Sequence, residues 1–166
     1  RKCARTYATQ LSIIDNYPDY IFGASQPQHY QFIKDTYPEL YERIKKAVKS
    51  GNWEAQGGMW VEADCNLISG ESMVRQLLHG KNFFKDEFGV DVDNLWLPDV
   101  FGYSAALPQI LKKSGINYFL TQKLSWSQFN EFPHHTFNWR GIDGTEILTH
   151  FPPENTYNSE LDTEFL

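Results

Sequence analysis

The sequence has few of the features that mark secreted, membrane-bound or nucleic-acid-binding proteins. It contains two cysteines, Cys3 and Cys65, which are too few for a disulfide framework and fit a reducing, cytoplasmic environment. No apolar run reaches the roughly 18 residues that a membrane-spanning helix needs. The net charge of −6 is spread along the chain without a basic stripe, so we expect neither nucleic acid nor a membrane as a partner.

Sequence motifs for several common chemistries are also missing. Neither the phosphate-binding pattern G-x-x-x-x-G-K-[ST] nor the dinucleotide pattern G-x-G-x-x-G occurs, and the G-x-S-x-G motif of serine hydrolases is absent. No histidine belongs to an H-x-H or H-x-x-E-H metal-binding pattern; the five are His29, His79, His134, His135 and His150. Cys65 has no histidine partner at a suggestive spacing, so we interpret it as a structural thiol.

What the chain does contain is a regular alternation of apolar segments of strand length with helical patterns. The predicted strands cover 20–24, 53–56, 95–99 and 118–121. The predicted helices cover 4–17, 28–49 with an interruption at Pro38, 69–88 and 108–114. Such alternation predicts an α/β fold, with parallel strands joined by right-handed crossovers, in a single domain over residues 1–166. An antiparallel pair over 136–140 and 146–151 is the predicted exception.

The helix predicted over 69–88 has recognisable ends. Ser69 is a typical N-cap residue, and Gly89 is a typical stop after the last helical turn. The apolar residues of this helix that we expect to face the core are Val74, Leu77, Leu78, Phe83 and Phe84.

A single carboxylate, Asp99, stands where the apolar run over 95–98 ends. In α/β folds, the loops at the carboxyl ends of parallel strands carry the functional groups. The regions that we expect to meet at this edge are 23–26, 57–66, 99–104 and 122–126. From its position alone, Asp99 has an alternative interpretation as the cap of the following turn.

Two further acids, Glu62 and Asp64, follow the paired glycines at 57–58. Together with Asp99 they would supply the carboxylates that a glycoside hydrolase or a metal site needs. The alternative is that both are solvated loop acids. Aromatic residues make up 16% of the chain, and exposed aromatic faces suit stacking against sugars, although most of these rings must fill the core.

Several of these motifs resemble one known family. Residues 96–104 (Trp-Leu-Pro-Asp-Val-Phe-Gly-Tyr-Ser) and 107–111 (Leu-Pro-Gln-Ile-Leu) resemble the nucleophile segment of the α-mannosidases of glycoside hydrolase family 38. Residues 57–66, 119–126 and 132–137 are similar to its cytosolic and bacterial branch. The likeness is colinear over nearly the whole chain. It implies an amino-terminal catalytic α/β domain, a barrel-like arrangement of parallel strands with helices outside.

The resemblance implies a retaining, metal-dependent hydrolysis of terminal α-D-mannose residues, with zinc as the usual ion. Asp99 matches the position that serves as both nucleophile and metal ligand. Phe101 matches a residue that packs beside the sugar. Lys123 stands where other branches of the family have an arginine, which keeps the positive charge but loses the bidentate fork of a guanidinium.

The remaining expected substrate contacts come from looser matches. Tyr157 resembles a substrate-side tyrosine, and Asp64 matches a family acid on the neighbouring loop. Trp60 and Trp126 are expected to form walls of the substrate site. The partner would then be an α-mannoside or oligosaccharide, and a homo-oligomer of the full-length protein is left open.

The family's other metal ligands and its acid/base carboxylate have no counterpart in these residues. The ligands would be an H-x-D pair upstream and a histidine downstream, and the acid/base residue would follow Leu166. We therefore expect the 166 residues to be a piece of a larger protein. Alone, this piece should be inactive and should hold zinc weakly or not at all.

Three other interpretations stay open on the sequence. Another polysaccharide hydrolase or deacetylase on a related (β/α) scaffold would take its metal ligands from histidines within the segment. A non-catalytic carbohydrate-binding module would use the aromatic residues and would not need Asp99. A structural domain would use Asp99 only as a cap, whose loss costs about 0.5–2 kcal/mol of stability.

Overall fold

The order of helices and strands follows the predicted alternation. The computed structural model describes residues 1–158. The expectation of a larger protein depends in part on the end of the sequence at Leu166, which lies outside the described residues. The helices are α1 (Lys2–Asn16), α2 (Pro27–Thr36), α3 (Pro38–Ser50), α4 (Gly70–Phe88) and α5 (Leu107–Lys113). The strands are β1 (Phe22–Ala24), β2 (Trp53–Ala55), β3 (Asn94–Trp96), β4 (Tyr118–Leu120), β5 (Thr136–Arg140) and β6 (Glu146–His150). None of these helices is long and apolar enough to cross a membrane.

The helical pattern over 28–49 forms two helices rather than one. Helix α2 ends at Thr36 and α3 begins at Pro38, because proline has no N–H for the preceding turn and suits the first turn of a helix. The backbone N–H of Tyr37 still donates to the Ile33 carbonyl at 2.7 Å. The predicted interruption at Pro38 is therefore confirmed, with a tight junction between the two helices.

Helix α4 has the predicted ends but a different buried face. Ser69 Oγ accepts a hydrogen bond from a backbone N–H of the first turn, and Gly89 ends the helix with φ 71°. The buried residues are Met73, Leu77, Gly80 and Phe84. The prediction that Val74 and Leu78 face the core was wrong, since both are exposed. Each lies about 100° around the helix from its buried neighbour.

The six strands form two sheets. Strands β1 and β2 pair in parallel, with Phe22 opposite Trp53. The second sheet has the order β3-β4-β6-β5, in which only the β5–β6 pair is antiparallel. The predicted parallel pairing and its antiparallel exception are both confirmed. Residues 1–158 do not show a closed barrel, so closure stays a prediction, as does the single-domain organisation.

Two hydrophobic clusters pack against these sheets. The cluster around β1 and β2 is rich in aromatic residues, and their polar tips are paired. The Trp53 indole N–H donates to the Tyr30 hydroxyl at 2.8 Å, and that hydroxyl donates to the Ala24 carbonyl at 2.9 Å. The other cluster is mainly aliphatic and lies between α4, α5 and the second sheet; its buried members include Leu77, Leu95, Leu107 and Ile116.

Helix α4 packs closely against the paired glycines Gly57 and Gly58, and this contact fixes the direction of the chain after β2. A Cβ at Gly80 would lie 2.2 Å from the Gly58 carbonyl oxygen, so this position requires glycine. The backbone N–H of Trp60 donates to the Gln76 carbonyl at 2.9 Å. The loop over 57–66 is thereby held against α4, beyond the carboxyl end of β2.

Candidate active site

The loops that follow β1, β2, β3 and β4 meet, as the sequence predicts. The loop after β1 contacts the loop after β2 through Gln26 and Glu62. The latter loop contacts the one after β3, where Asn66 Nδ2 donates to the Phe101 carbonyl at 3.3 Å. The loop after β3 in turn contacts a 3₁₀ turn over Lys123–Trp126, which follows β4. These contacts bring the candidate residues to the carboxyl ends of the strands.

Asp99 is presented to solvent between two buried residues. Leu97 and Val100 are buried, and the backbone N–H of Leu97 donates to the Leu120 carbonyl at 3.0 Å. This bond extends the pairing of β3 with β4 and fixes the backbone next to Asp99, whose side chain is 59% exposed. The hydrogen bonds that it accepts from the described residues come from side chains, which disfavours the interpretation as a turn cap.

Two donors hold the same oxygen of Asp99. Lys123 Nζ donates to Asp99 Oδ1 at 2.8 Å, and the Tyr157 hydroxyl donates to that oxygen at 2.9 Å. The hydrogen bond from Lys123, followed by that from Tyr157, lowers the pKa of Asp99 below its ordinary value. Burial, followed by the bond to Asp99, raises the pKa of Tyr157. The site therefore contains an ionised carboxylate whose second oxygen, Oδ2, lies outside both bonds.

Aromatic rings surround the ammonium group of Lys123. Its side chain is only 9% exposed, and Nζ lies 3.6 Å from the ring centroid of Trp126, 4.2 Å from that of Phe101 and 6.0 Å from that of Tyr157. Ring faces and a carboxylate partner compensate a desolvated cation for the water that it loses. Phe101 and Trp126 are themselves 76% and 67% exposed, so much of each ring is open to a ligand.

A second carboxylate, Glu62, lies in the loop after β2, where it contacts the loop after β1. Its Oε1 accepts hydrogen bonds from Gln26 Nε2 at 3.1 Å and from Ser25 Oγ at 3.4 Å. Burial is the main cause that raises the pKa of Glu62, and the charge of Asp99 adds to it. The sequence singled out Glu62 as one of two loop acids but gave no reason to prefer it over Asp64.

Asp64 and Trp60 make contacts of a different kind. Asp64 Oδ1 accepts from the backbone N–H groups of Asn66 at 2.8 Å and Leu67 at 3.0 Å, so this carboxylate stabilises its own turn. The Trp60 indole N–H donates to Gln28 Oε1 at 3.0 Å, and its ring packs edge-on against Phe83. The substrate roles of Asp64 and Trp60 stay predictions.

The predicted residues thus separate into two groups. The structure brings five of them together around one carboxylate and one ammonium: Asp99, Phe101, Lys123, Trp126 and Tyr157. The contacts described for Asp64 and Trp60 lie outside this group.

Tyr103, which the sequence does not single out, supports the loop that carries Asp99. Its hydroxyl donates to the Leu97 carbonyl at 3.1 Å and is hydrogen-bonded to the Thr121 hydroxyl. Burial raises the pKa of Tyr103 to about 12, so the phenol stays protonated at neutral pH. Tyr103 thereby joins the start of the Asp99 loop to the end of β4. Nothing in the spacing distinguishes this tyrosine from the other aromatic residues nearby.

Comparison with known proteins establishes the family. The sequence profile described as "Glycosyl hydrolases family 38 N-terminal domain" matches residues 1–166. The chain belongs to glycoside hydrolase family 38. The resemblance inferred from the motif over 96–104 is therefore confirmed.

Individual members of family 38 show the same relationship. Alpha-mannosidase G of Dictyostelium discoideum is 55% identical over 163 residues, which are 98% of this chain and 15% of that protein. Alpha-mannosidase 2C1 of Homo sapiens is 52% identical over 164 residues, or 99% of this chain and 16% of that protein. The chain thus spans about 15% of the length of these relatives. An alpha-mannosidase from Enterococcus faecalis V583 is similar in structure, with a TM-score of 0.77 and 26% identity over 90% of this chain and 17% of the other.

Membership of family 38 raises the question of whether these residues fit a zinc ion. Among residues 1–158, no group of three or more His, Cys, Asp or Glu side chains is arranged so that it could hold a metal ion. Asp99 supplies one carboxylate, and its Oδ1 already faces the cationic Lys123. Zinc sites take three or four protein ligands. The described residues therefore do not fit zinc by themselves, and the histidine ligand set of the deacetylase alternative is not found among them either.

The buried thiol of Cys65, in the loop over 57–66, has no sign of reactivity. Burial, followed by the charge of Asp64, raises the pKa of Cys65 to about 11. A nucleophilic cysteine requires a lowered pKa. The geometry agrees with the interpretation of Cys65 as a structural residue.

Proposed function

We propose that the polypeptide containing this chain removes terminal α-D-mannose residues from glycans, with Asp99 as the nucleophile of a retaining reaction. The observation that carries the proposal is the state of Asp99, which is ionised, open to solvent and held at one oxygen. Support for the substrate class comes from relatives named as alpha-mannosidases at 55% and 52% identity.

The arrangement of donors suits a nucleophile. Lys123 and Tyr157 both bind Oδ1, so Oδ2 is the oxygen left to form a bond to the anomeric carbon as the glycosidic C–O bond breaks. The leaving oxygen takes a proton from an acid that lies outside the described residues. Water then attacks the mannosyl-enzyme and gives a proton back to the same acid group, which releases mannose and restores the Asp99 carboxylate, as in other retaining glycosidases.

The exposed aromatic residues supply the surface on which a sugar would rest. Phe101 and Trp126 flank Lys123 and present ring area to solvent. Aromatic side chains provide large apolar contact area, and the C–H face of a pyranose is the apolar face of that ring. We assign Phe101 and Trp126 to the walls of the substrate site.

The zinc dependence implied by the family stays a prediction. Asp99 would contribute one ligand and the others would come from residues outside the described part of the chain, so no step above is assigned to the metal. The purified 166-residue chain is expected to retain no stoichiometric zinc after dialysis and to leave an aryl α-mannoside uncleaved. Metal analysis of the dialysed chain tests this, and one zinc per chain would refute it.

The test of the proposed function is hydrolysis of an aryl α-mannoside by the complete natural polypeptide that carries this sequence. Asp99→Asn should abolish turnover, by roughly 10⁴-fold or more as for other catalytic groups, while the fold survives. Asp93→Asn, an exposed acid before the same strand, is the matched control and should leave turnover unchanged. An Asp99→Asn enzyme that retains activity would overturn the proposal.

A carbohydrate-binding module is the second candidate, because exposed rings alone suffice for sugar stacking. That function predicts that Asp99→Asn leaves mannoside binding and all biological activity unchanged, whereas the proposed hydrolase loses turnover. Equilibrium binding and turnover measured on the same variant separate the two.

We further propose a cytoplasmic location for the whole protein, for which the small number of cysteines is the support. Fractionation of the source cells tests the location. Sedimentation of the full-length protein tests whether it forms a homo-oligomer.

A further inference from the structure

The two carboxyl oxygens of Glu62 have different surroundings. Oε1 accepts from Gln26 Nε2 at 3.1 Å and from Ser25 Oγ at 3.4 Å. Within residues 1–158, the hydrogen bonds to this side chain fall on Oε1, as the two bonds to Asp99 fall on its Oδ1. Each carboxylate is thus fixed through one oxygen, and its other oxygen accepts no hydrogen bond from residues 1–158.

The backbone around Gln26 is arranged to support Glu62. Gln26 precedes α2 with φ 65°, a left-handed conformation that a residue with a side chain adopts at a cost. Neighbouring bonds hold it there, since its carbonyl accepts from the His29 N–H at 2.9 Å and the Gln28 N–H donates to the Trp60 carbonyl at 3.3 Å. The strained residue directs its amide at Glu62.

The loop that carries Glu62 adjoins the loop that carries Asp99. The two loops are joined by the bond from Asn66 to the Phe101 carbonyl, and a Cβ at Gly102 would lie 2.1 Å from Asn66 Nδ2. The charge of Asp99 acts on Glu62, and the charge of Glu62 acts on Tyr157. No hydrogen bond among the described residues joins the two carboxylates.

We propose that Glu62 is a substrate-binding residue whose Oε2 accepts a hydrogen bond from a hydroxyl of the sugar that Asp99 attacks. This inference rests on the proposed function, since it assumes a sugar at Asp99. A carboxylate is the strongest acceptor that a protein offers to a hydroxyl group. Asp99 and Glu62 would then hold the reacting sugar from two sides, and Ser25 and Gln26 would be positioning residues for Glu62.

The first test is Glu62→Gln in the complete natural polypeptide, assayed with an aryl α-mannoside. Loss of one charge-assisted hydrogen bond predicts a decrease of kcat/KM of about 10- to 100-fold. Glu54→Gln, an exposed glutamate on β2, is the matched control and should stay within twofold of wild type. A Glu62→Gln enzyme with wild-type kcat/KM would overturn the inference.

Deoxygenated substrates provide a measurement that a merely structural role would not change. Mannosides that lack one hydroxyl at a time are compared on the wild-type and Glu62→Gln enzymes. At one ring position, removal of the hydroxyl should lower kcat/KM strongly for the wild-type enzyme and hardly at all for Glu62→Gln. The variant already lacks the hydrogen bond between Glu62 and that hydroxyl. If the decrease in kcat/KM from Glu62→Gln and the decrease from removing a hydroxyl add independently at every ring position, the proposal is contradicted.

Three further outcomes are separated by the same series. If Glu62→Gln lowers the melting temperature, Glu62→Asp keeps the charge on a shorter side chain and should show a weakened preference for the same hydroxyl; an unaltered preference would overturn the inference. If wild type turns over mannosides, Asp99→Asn is inactive and Glu62→Gln is unchanged, this inference alone fails. If wild type cleaves no α-mannoside, the proposed function fails and the inference fails with it.

Discussion

The aromatic residues of this chain form two groups that are used in opposite ways. Around β1 and β2 they are packed against each other, with the Trp53 ring 5.0 Å from that of Tyr7 and 4.7 Å from that of Phe22, both edge to face. Around the site, the rings of Phe101 and Trp126 are directed at the ammonium of Lys123 and remain exposed. The same residue types fill a core in one region and surround a cation and a carboxylate in the other.

This difference shows which aromatic residues are candidates for ligand contact. A buried tryptophan with its N–H paired, such as Trp53, stabilises the fold. An exposed tryptophan next to a buried lysine, such as Trp126, leaves ring area available for contact with a ligand. The amino-acid composition counts all aromatic residues together. The exposure of each ring and the group that it contacts distinguish the core rings from the rings at the site.

Exchanging the two tryptophans for alanine should give the largest contrast in stability. Trp53→Ala removes a fully buried side chain and the donor to Tyr30, so it should cost about 3–5 kcal/mol. Trp126→Ala, at an exposed ring, should cost no more than about 0.5–1 kcal/mol while lowering kcat/KM by about tenfold, through the lost contact with Lys123. Thermal unfolding and turnover of both variants check this. Equal destabilisation by the two would remove the distinction between core and site.

Removing the cation at the centre of the site should have the next largest effect. Lys123→Met keeps a chain of similar length among the rings but removes the bond to Asp99 Oδ1, so kcat/KM should decrease by about 10- to 100-fold. Lys123 lowers the pKa of Asp99, so without it that pKa rises. The carboxylate is then protonated at a higher pH, and the acid limb of the kcat/KM profile moves upward in pH relative to wild type.

The control for this variant is a lysine in a different ion pair. Lys34 Nζ lies 2.6 Å from Glu87 Oε1 in the helical region, and the side chains of Lys34 and Glu87 are 42% and 19% exposed. Lys34→Met should leave both kcat/KM and its acid limb unchanged, because Lys34 is not among the groups that shift the pKa of Asp99. An acid limb that stays in place in Lys123→Met would contradict the assignment of Lys123 as the group that keeps Asp99 ionised.

The smallest effect is expected from the second donor to Asp99. Tyr157→Phe removes a single hydroxyl and leaves the ring, so the decrease in kcat/KM should be about tenfold at most. Tyr118→Phe, at an exposed tyrosine on β4, should have no effect. A larger loss in Tyr157→Phe than in Lys123→Met would reverse the order of the two donors.

Much of this arrangement was predictable because it depends on local chemistry. Ser69 and Gly89 mark the ends of α4, and Pro38 separates α2 from α3, since capping and proline geometry are properties of the residues themselves. The placement of Asp99 follows from the apolar run before it, which buries Leu97 and leaves the next acid at the strand end.

Other features depend on the orientation of side chains, which the sequence alone does not determine. In α4, shifting the helical phase by one residue exchanges Leu77 for Leu78 at the core. In the irregular loop after the paired glycines, Glu62 and Asp64 are two residues apart, and no periodicity tells which of them contacts the loop after β1 and which stabilises its own turn. Trp60 and Trp126 are equally good sugar-wall candidates by type, and only the packing of Trp60 against Phe83 separates them.

The most direct test of the central claim is to identify the residue that becomes attached to the sugar. The complete natural polypeptide is treated with a fluorinated α-mannoside that forms the covalent intermediate faster than water can release it, and its peptides are analysed by mass spectrometry. The account predicts one fluoromannosyl group on the peptide that contains Asp99, and none in Asp99→Asn. A label on any other residue, or an active enzyme that is never labelled, would contradict it.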